Sequence, residues 1–161
     1  MRILFDTNVI LDVLLFLTYC STASPSRKIP RRCCLALSGV ILQAMGYVAA
    51  TTITTLYYLC AKAGGNTEAR RQVASLLALL DIAPVNRSVI ESALASRMRD
   101  FEDAVLAAAG TLVSVQAIAT RNKHDFRLAS ISAHTPAELL ELLDARPTNP
   151  HANPQLRQVV I

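Results

Sequence analysis

Several protein classes are excluded by what this chain lacks. Its four cysteines stand at positions 20, 33, 34 and 60, and no Cys-X-X-Cys pair occurs. A zinc site is therefore not expected. Adjacent Cys33 and Cys34 are poorly placed to bridge each other, so reduced, partly buried thiols in a cytoplasmic protein are the expectation. No signal peptide is visible, because Asp6 interrupts the first apolar run before any h-region. There is no internal repeat and no low-complexity segment. One long uncharged run exists, Leu35 to Ala61, and it exceeds the ~20 residues a membrane span requires. It holds Gln43, Thr51, Thr52, Thr54 and Thr55, with Gly46-Tyr47 in its middle. That pattern fits the end of one helix, a buried strand and the start of another helix better than a span, so no membrane association is expected.

What is present suits one domain with a sizeable core. The 161 residues are 52% apolar, and the mean hydropathy of +0.35 excludes bulk disorder. The formal charge of +4 and a pI near 9.1 permit attraction to nucleic acid without proving it.

Strand and helix signals alternate along the chain. Residues 2–5 read as a buried strand that stops at Asp6. Residues 8–17 then carry apolar side chains at the spacing of a buried helix face, with Asp12 off that face. Thr18 to Pro30 reads as a loop with a basic end at Arg27, Lys28, Arg31 and Arg32. A helix is expected over 31–45, a strand over 47–50 and a helix over 52–63 that Gly64-Gly65 stops. A further helix over 66–80 has Asn66 as its cap. A strand over 82–85 precedes a helix over 88–97. The Ala-rich stretch 101–112 is strongly helical by propensity. A buried strand over 115–119 leads into the polar loop TRNKHDF, residues 120–126. A short strand over 131–133 and a helix to 145 complete the pattern. That helix opens on Thr135-Pro136-Ala137-Glu138, a capping box with proline at the first helical position. Alternation of this kind argues for an α/β fold, with a small, mainly parallel sheet between helical layers. Residues 1–145 are expected to form the domain, and the proline-rich 146–161 an extended tail.

Three acids stand where such a fold would bring them together. Asp6 ends the first strand, Asp103 opens the Ala-rich helix, and Asp125 sits in the loop after the strand VQAIA. Parallel strands present their C-terminal ends on one side, and ligands bind there. Clustered carboxylates repel one another, and a hard divalent cation, Mg²⁺ or Mn²⁺, relieves the repulsion. Taken singly, Asp6 equally suits a helix cap, and Asp125 a loop acid bonded to its own backbone. Asp100 reads better as a cap, and Glu102 as a complement to the helix dipole. The weight lies in the combination.

DTNVILDVL, FEDAVLAAAG and AIATRNKHDF occur in the order, and at about the separations, of the motifs of PIN domains. The chain resembles that family, which includes the toxins of VapC-type toxin–antitoxin pairs, over about residues 2–143. The resemblance implies a three-layer α/β/α sandwich and Mg²⁺- or Mn²⁺-dependent cleavage of RNA. It puts Asp6, Asp103 and Asp125 in the catalytic, metal-binding positions, with Asn8 supporting Asp6 and Asn122 near metal-bound water or substrate. It further implies an antitoxin protein as partner and a homodimer.

Two departures matter. Many PIN nucleases carry a glutamate on the helix after the second strand, where this chain has Thr55. A hydroxyl can hold a metal-bound water but brings no negative charge, so weaker metal binding is expected. The early loop is basic, and Arg31 and Arg32, with Arg121 and Lys123 beside Asp125, are candidates to grip RNA phosphates. His124 is a candidate proton carrier, and Tyr57 and Tyr58 are expected to pack in the core. Two readings stay open: a metal-dependent endoribonuclease, and a degenerate PIN module that binds RNA or a protein and cuts nothing. A phosphatase using Asp6 as nucleophile fits less well, because Asn8 stands where such enzymes carry a second aspartate.

Overall fold

The computed structural model describes residues 1–12, 14, 36, 39–41 and 43–145. The expected basic loop with Arg27, Lys28, Arg31 and Arg32, most of the helix expected over 31–45 and the tail 146–161 lie outside the described residues.

Five strands form one sheet in the order β3-β2-β1-β4-β5, and every pairing in it is parallel. They are β1 (Arg2–Phe5), β2 (Met45–Ala49), β3 (Asp81–Ala83), β4 (Ala117–Ala119) and β5 (Ala133–His134). The helices bounded among the described residues are α1 (Ala50–Leu77), α2 (Arg87–Ala95), α3 (Phe101–Leu112) and α4 (Pro136–Asp144). A helical segment also begins at Thr7, directly after β1.

The sheet is covered on both faces, as a parallel sheet must be. Alternate strand residues divide between two cores. Ile3, Phe5, Val48, Ala117 and Ala119 pack with Val9, Ile10, Leu56, Cys60, Leu139 and Leu143. Leu4, Ala49, Ala83 and Ile118 pack on the other side with Val89, Ala93, Val105 and Leu106. One helical layer therefore holds the first helix, α1 and α4, and the other holds α2 and α3. Ile3, Leu4 and Phe5 are fully buried, each contributing about 2 kcal/mol by removal from water. That burial is why so short a strand can occupy the centre of the sheet.

Small residues set the close approaches. A side chain on Gly46 would run into the side chains of Leu80 and Phe5. The helix stop expected at Gly64-Gly65 appears as a kink. Gly65 alone leaves helical geometry, at φ 84° and ψ 167°, and α1 resumes at once to Leu77. The strand expected over 115–119 is shorter for a local reason. Ser114 turns the chain at φ 54°, and the Val115 amide donates back to Gly110 O at 3.0 Å. Tyr58 is exposed rather than in the core. The buried stripe of this part of α1 is Thr52, Leu56 and Cys60, at i, i+4 and i+8, and Tyr58 lies off it. Tyr57 does pack against the core. No helix among the described residues is long and apolar enough to cross a membrane, and the uncharged run contains β2 and the start of α1.

Candidate active site

The strand order reverses direction at β1. The chain leaves β1 for β2 on one side and later returns to β4 on the other. A crevice opens at the C-terminal ends of strands flanking such a switch point. Asp6 and Thr120 are the first residues beyond β1 and β4 there, and the Asp6 amide still donates to Ala119 O at 3.0 Å.

Asp6 is buried, 5% exposed. Burial pushes its carboxyl above the usual range, against the pull of the Thr120 hydroxyl, the backbone amides of Asn8 and Thr7, and the Arg121 charge. Its Oδ2 accepts from Thr120 Oγ1 at 2.7 Å and from Asn8 Nδ2 at 2.5 Å. Asp6 O accepts the Val9 amide, so the residue also starts the first helix. Asn8 Oδ1 accepts the Arg121 amide at 3.2 Å, and Thr120 Oγ1 accepts the Asn122 amide at 3.0 Å. This network ties the loop after β4 to the turn after β1. Thr120 is the residue the sequence reading passed over. Its only signal was its place, directly after a buried run of small residues.

Asp100 caps α3, its Oδ1 accepting from the amides of Glu102 and Asp103 at 2.8 and 3.2 Å. That cap points the first turn of α3 at the crevice. The carboxyl of Asp103 is pushed up to about 7, first by burial and then by the charges of Asp6, Asp100, Asp125 and Glu102. Asp125 is held by a turn in which its amide donates to Asn122 O at 3.1 Å.

The result is a cleft of about 330 Å³, lined among others by Asp6, Asn8, Thr55, Asp103, Asn122 and Asp125. The structure thus brings six of the candidate residues to one place. Glu102, assigned above only to the helix dipole, lines it as well. The candidate phosphate-binding cations are placed differently. Arg121 pairs with Asp12 at 3.2 Å and Lys123 with Glu138 at 2.6 Å. Arg31 and Arg32 lie outside the described residues. His124 is exposed and does not line the cleft. A larger cleft of about 430 Å³ lies between α2 and α3, but it is lined by serine, threonine and apolar side chains without a charge.

Among the described residues the cleft offers oxygen donors and no thiol or imidazole. That donor set fits a hard divalent cation. Among the described residues no three His, Cys, Asp or Glu side chains already surround one point.

Comparison with known proteins agrees with the fold. Among solved structures, that of FitAB bound to the IR36 DNA fragment superposes with a TM-score of 0.60 at 24% identity, covering 84% of this chain and 95% of that one. FitAcB from Neisseria gonorrhoeae gives 0.57 at 22% identity, covering 83% and 97%. VapBC2 from Rickettsia felis, bound to a DNA fragment from their promoter, gives 0.56 at 12% identity, covering 84% and 98%. At these identities the likeness shows a shared fold. No curated protein sequence matches the chain. The family model of the PIN domain matches residues 2–124, most of the chain, with Asp6 and Asp103 inside the match and its end one residue short of Asp125, and this chain belongs to the PIN domain family.

Proposed function

We propose that this PIN domain is a metal-dependent endoribonuclease that hydrolyses RNA phosphodiester bonds, and that it is the toxin of a toxin–antitoxin pair. The observation that carries the reading is the convergence of Asp6, Asp103 and Asp125 on one cleft at the switch point of the sheet. Their mutual repulsion at Asp103 supports a cation as the occupant.

Asp6, Asp103 and Asp125 would hold Mg²⁺ or Mn²⁺. When bound, the ion supplies an activated water and neutralises charge developing on the phosphodiester. The protein's part is positional. Thr120 and Asn8 fix the Asp6 carboxyl and offset part of the rise that its burial causes. Asp103, its carboxyl pushed up to about 7 by burial and by its acidic neighbours, is the group whose ionised form a bound cation would favour most. Asn122 lines the cleft beside Asp125, where an amide can orient water or a phosphate oxygen. Arg121 and Lys123 stand next in sequence, and each would exchange a carboxylate partner for a phosphate. Arg31 and Arg32, from the basic stretch of the sequence, would add charge of the same kind.

The toxin assignment draws on the family's motif order, and the fold shared with VapBC2 and FitAB supports it. An antitoxin protein, a homodimer and a cytoplasmic location belong to the same proposal. A short neighbouring reading frame with a DNA-binding N-terminus supports it, and a gene with no such neighbour counts against the toxin role.

A second reading, a binding module without catalysis, is favoured by one observation. Thr55 brings no charge to the cleft, and its hydroxyl donates to Thr51 O of its own helix at 3.4 Å. One experiment separates the two. Purified protein is incubated with RNA in Mn²⁺, Mg²⁺ or EDTA beside an Asp6→Asn variant. Metal-dependent cutting that disappears in the variant is the expected result. Equal background in both proteins, with no thermal shift from metal, sinks the catalytic reading and leaves the binding module.

A further inference from the structure

We propose that Glu102 is a working carboxylate of the cation site, carried by α3 to the flank of the cleft where α1 offers only hydroxyls. The inference rests on the metal-dependent reading above and adds a residue to it.

An acid in the first turn of a helix ordinarily needs no explanation beyond the dipole. Here the amides at the start of α3 are already served by Asp100, which accepts from both Glu102 and Asp103. The Glu102 side chain does something else. It lines the cleft, and its Oε1 accepts from Thr7 Oγ1 at 3.5 Å, a long bond. Thr7 Oγ1 in turn lies 3.2 Å from Thr52 Oγ1, which is buried on α1. With Thr52 donating to Thr7 and Thr7 donating to Glu102, each hydroxyl proton is used once. Thr52 and Thr55 are three residues apart on α1 and share a face, so the chain of hydroxyls runs along the flank that Thr55 completes.

On that flank Glu102 is the anionic oxygen donor, and hard divalent cations take anionic oxygens in preference to hydroxyls. Thr7 and Thr52 are what steer a long, exposed side chain inward. A glutamate that served the dipole alone would be as well placed pointing into water.

The test is Mn²⁺ binding to the full chain by isothermal titration calorimetry, with unfolding in EDTA confirming that each variant is folded. Glu102→Gln keeps the side-chain length and removes the charge. It is expected to weaken Mn²⁺ binding about tenfold, the scale seen when a supporting group of a metal site is lost. Adding Thr55→Glu to Glu102→Gln returns a carboxylate to the same flank and is expected to recover most of the loss. Glu141→Gln, an exposed acid on α4, should change nothing. If Glu102→Gln binds Mn²⁺ as the native chain does while Asp6→Asn does not, Glu102 is a bystander and the metal-dependent reading survives. If Glu102→Gln weakens binding and Thr55→Glu recovers none of it, the assignment to a shared flank is overturned. If the native chain binds no Mn²⁺, both the proposal and the reading beneath it fall.

Discussion

Asp103→Asn should stabilise the metal-free protein while destroying its response to metal. The carboxyl of Asp103 is pushed from 3.8 to about 7, with burial the largest cause and the repulsion of Asp6, Asp100, Asp125 and Glu102 following. A folded-state value above the unfolded one means that the native protein binds the proton more tightly. The ionised form is therefore the costly one. Below about pH 4 Asp103 is protonated in both states and costs nothing. Between about 4 and 7 the unfolded chain has lost the proton and the folded chain resists losing it, so stability falls as pH rises. Above 7 the penalty is complete. A gap of about three pH units corresponds to about 4 kcal/mol at 1.36 kcal/mol each. Asp103 is only half-buried, and solvent screening brings the expected figure to about 2 kcal/mol. For a chain of this size that is a rise of about 4–8 °C in Tm. The assay is thermal unfolding of both proteins in EDTA from pH 5 to 8, repeated with Mn²⁺. The variant should melt higher at pH 8, and the difference should shrink towards pH 5. Mn²⁺ should reverse the order by stabilising only the native protein. Equal Tm values at pH 8 in EDTA, or a difference that does not change with pH, would refute the reasoning.

Three further outcomes follow from particular contacts. Thr120→Val removes the hydroxyl that donates to the buried Asp6 carboxylate at 2.7 Å and should cost about 2–3 kcal/mol in urea unfolding at pH 7; Thr120→Ser should recover much of that, and an equally destabilised serine variant would show that the methyl group, not the bond, matters. Gly46→Ala drives a methyl group into the Leu80 and Phe5 side chains and should cost about 1–3 kcal/mol with an unchanged m-value; a neutral result would mean that the two side chains move aside freely. The Glu138 carboxyl is held down to about 2 by its bond to Lys123, with the Thr135 amide helping. Its stabilisation is present above about pH 4.5 and lost as pH falls towards 2. Lys123→Met should flatten that part of the Tm–pH curve, and an unchanged curve would discount the pair.

The sequence carried the fold where one physical signal dominated. Ile3-Leu4-Phe5 is too short and too apolar for anything but a central strand, and Asp6 marks its end. The caps at Asp100 and Thr135 and the break at Gly65 are written in single residues whose backbone preferences are strong. What the sequence could not show was pairing. Nothing in 117–119 or 133–134 states that β4 lies beside β1 and β5 beside β4. That order comes from packing both faces of a parallel sheet. For the same reason the convergence of Asp6, Asp103 and Asp125 was inferable only through the motif order and the rule that parallel strands present their C-terminal ends on one side. The roles of Thr7, Thr52 and Thr120 were not inferable at all. Threonine is common at turns and helix starts, and only contact across 45 or 114 residues distinguishes these three. Tyr58 failed because an apolar run inside a helix has two sides, and composition alone does not say which is covered.

The charge layout of the cleft sets the order in which ligands arrive. Five acids line it, Asp6, Asp100, Glu102, Asp103 and Asp125, and among the described residues no lysine or arginine does. Arg121 and Lys123 of the adjoining loop are already paired with Asp12 and Glu138. The net charge of +4 is therefore no measure of what an incoming phosphate meets. At close range it meets negative charge, and each uncompensated pair repels by about 4 kcal/mol at 4 Å in surroundings of intermediate dielectric. RNA should then bind weakly to the metal-free protein and tightly only after a divalent ion has entered. A fluorescent RNA measures this by anisotropy at low temperature in EDTA and in Mn²⁺, read on a timescale shorter than cleavage. Affinity should rise at least tenfold with the ion. Glu102→Gln and Asp103→Asn should each bind the probe better than the native chain in EDTA, because each removes one repelling charge. If the native protein binds RNA equally well with and without metal, the phosphate backbone does not enter this cleft, and the cations that hold it lie elsewhere on the surface.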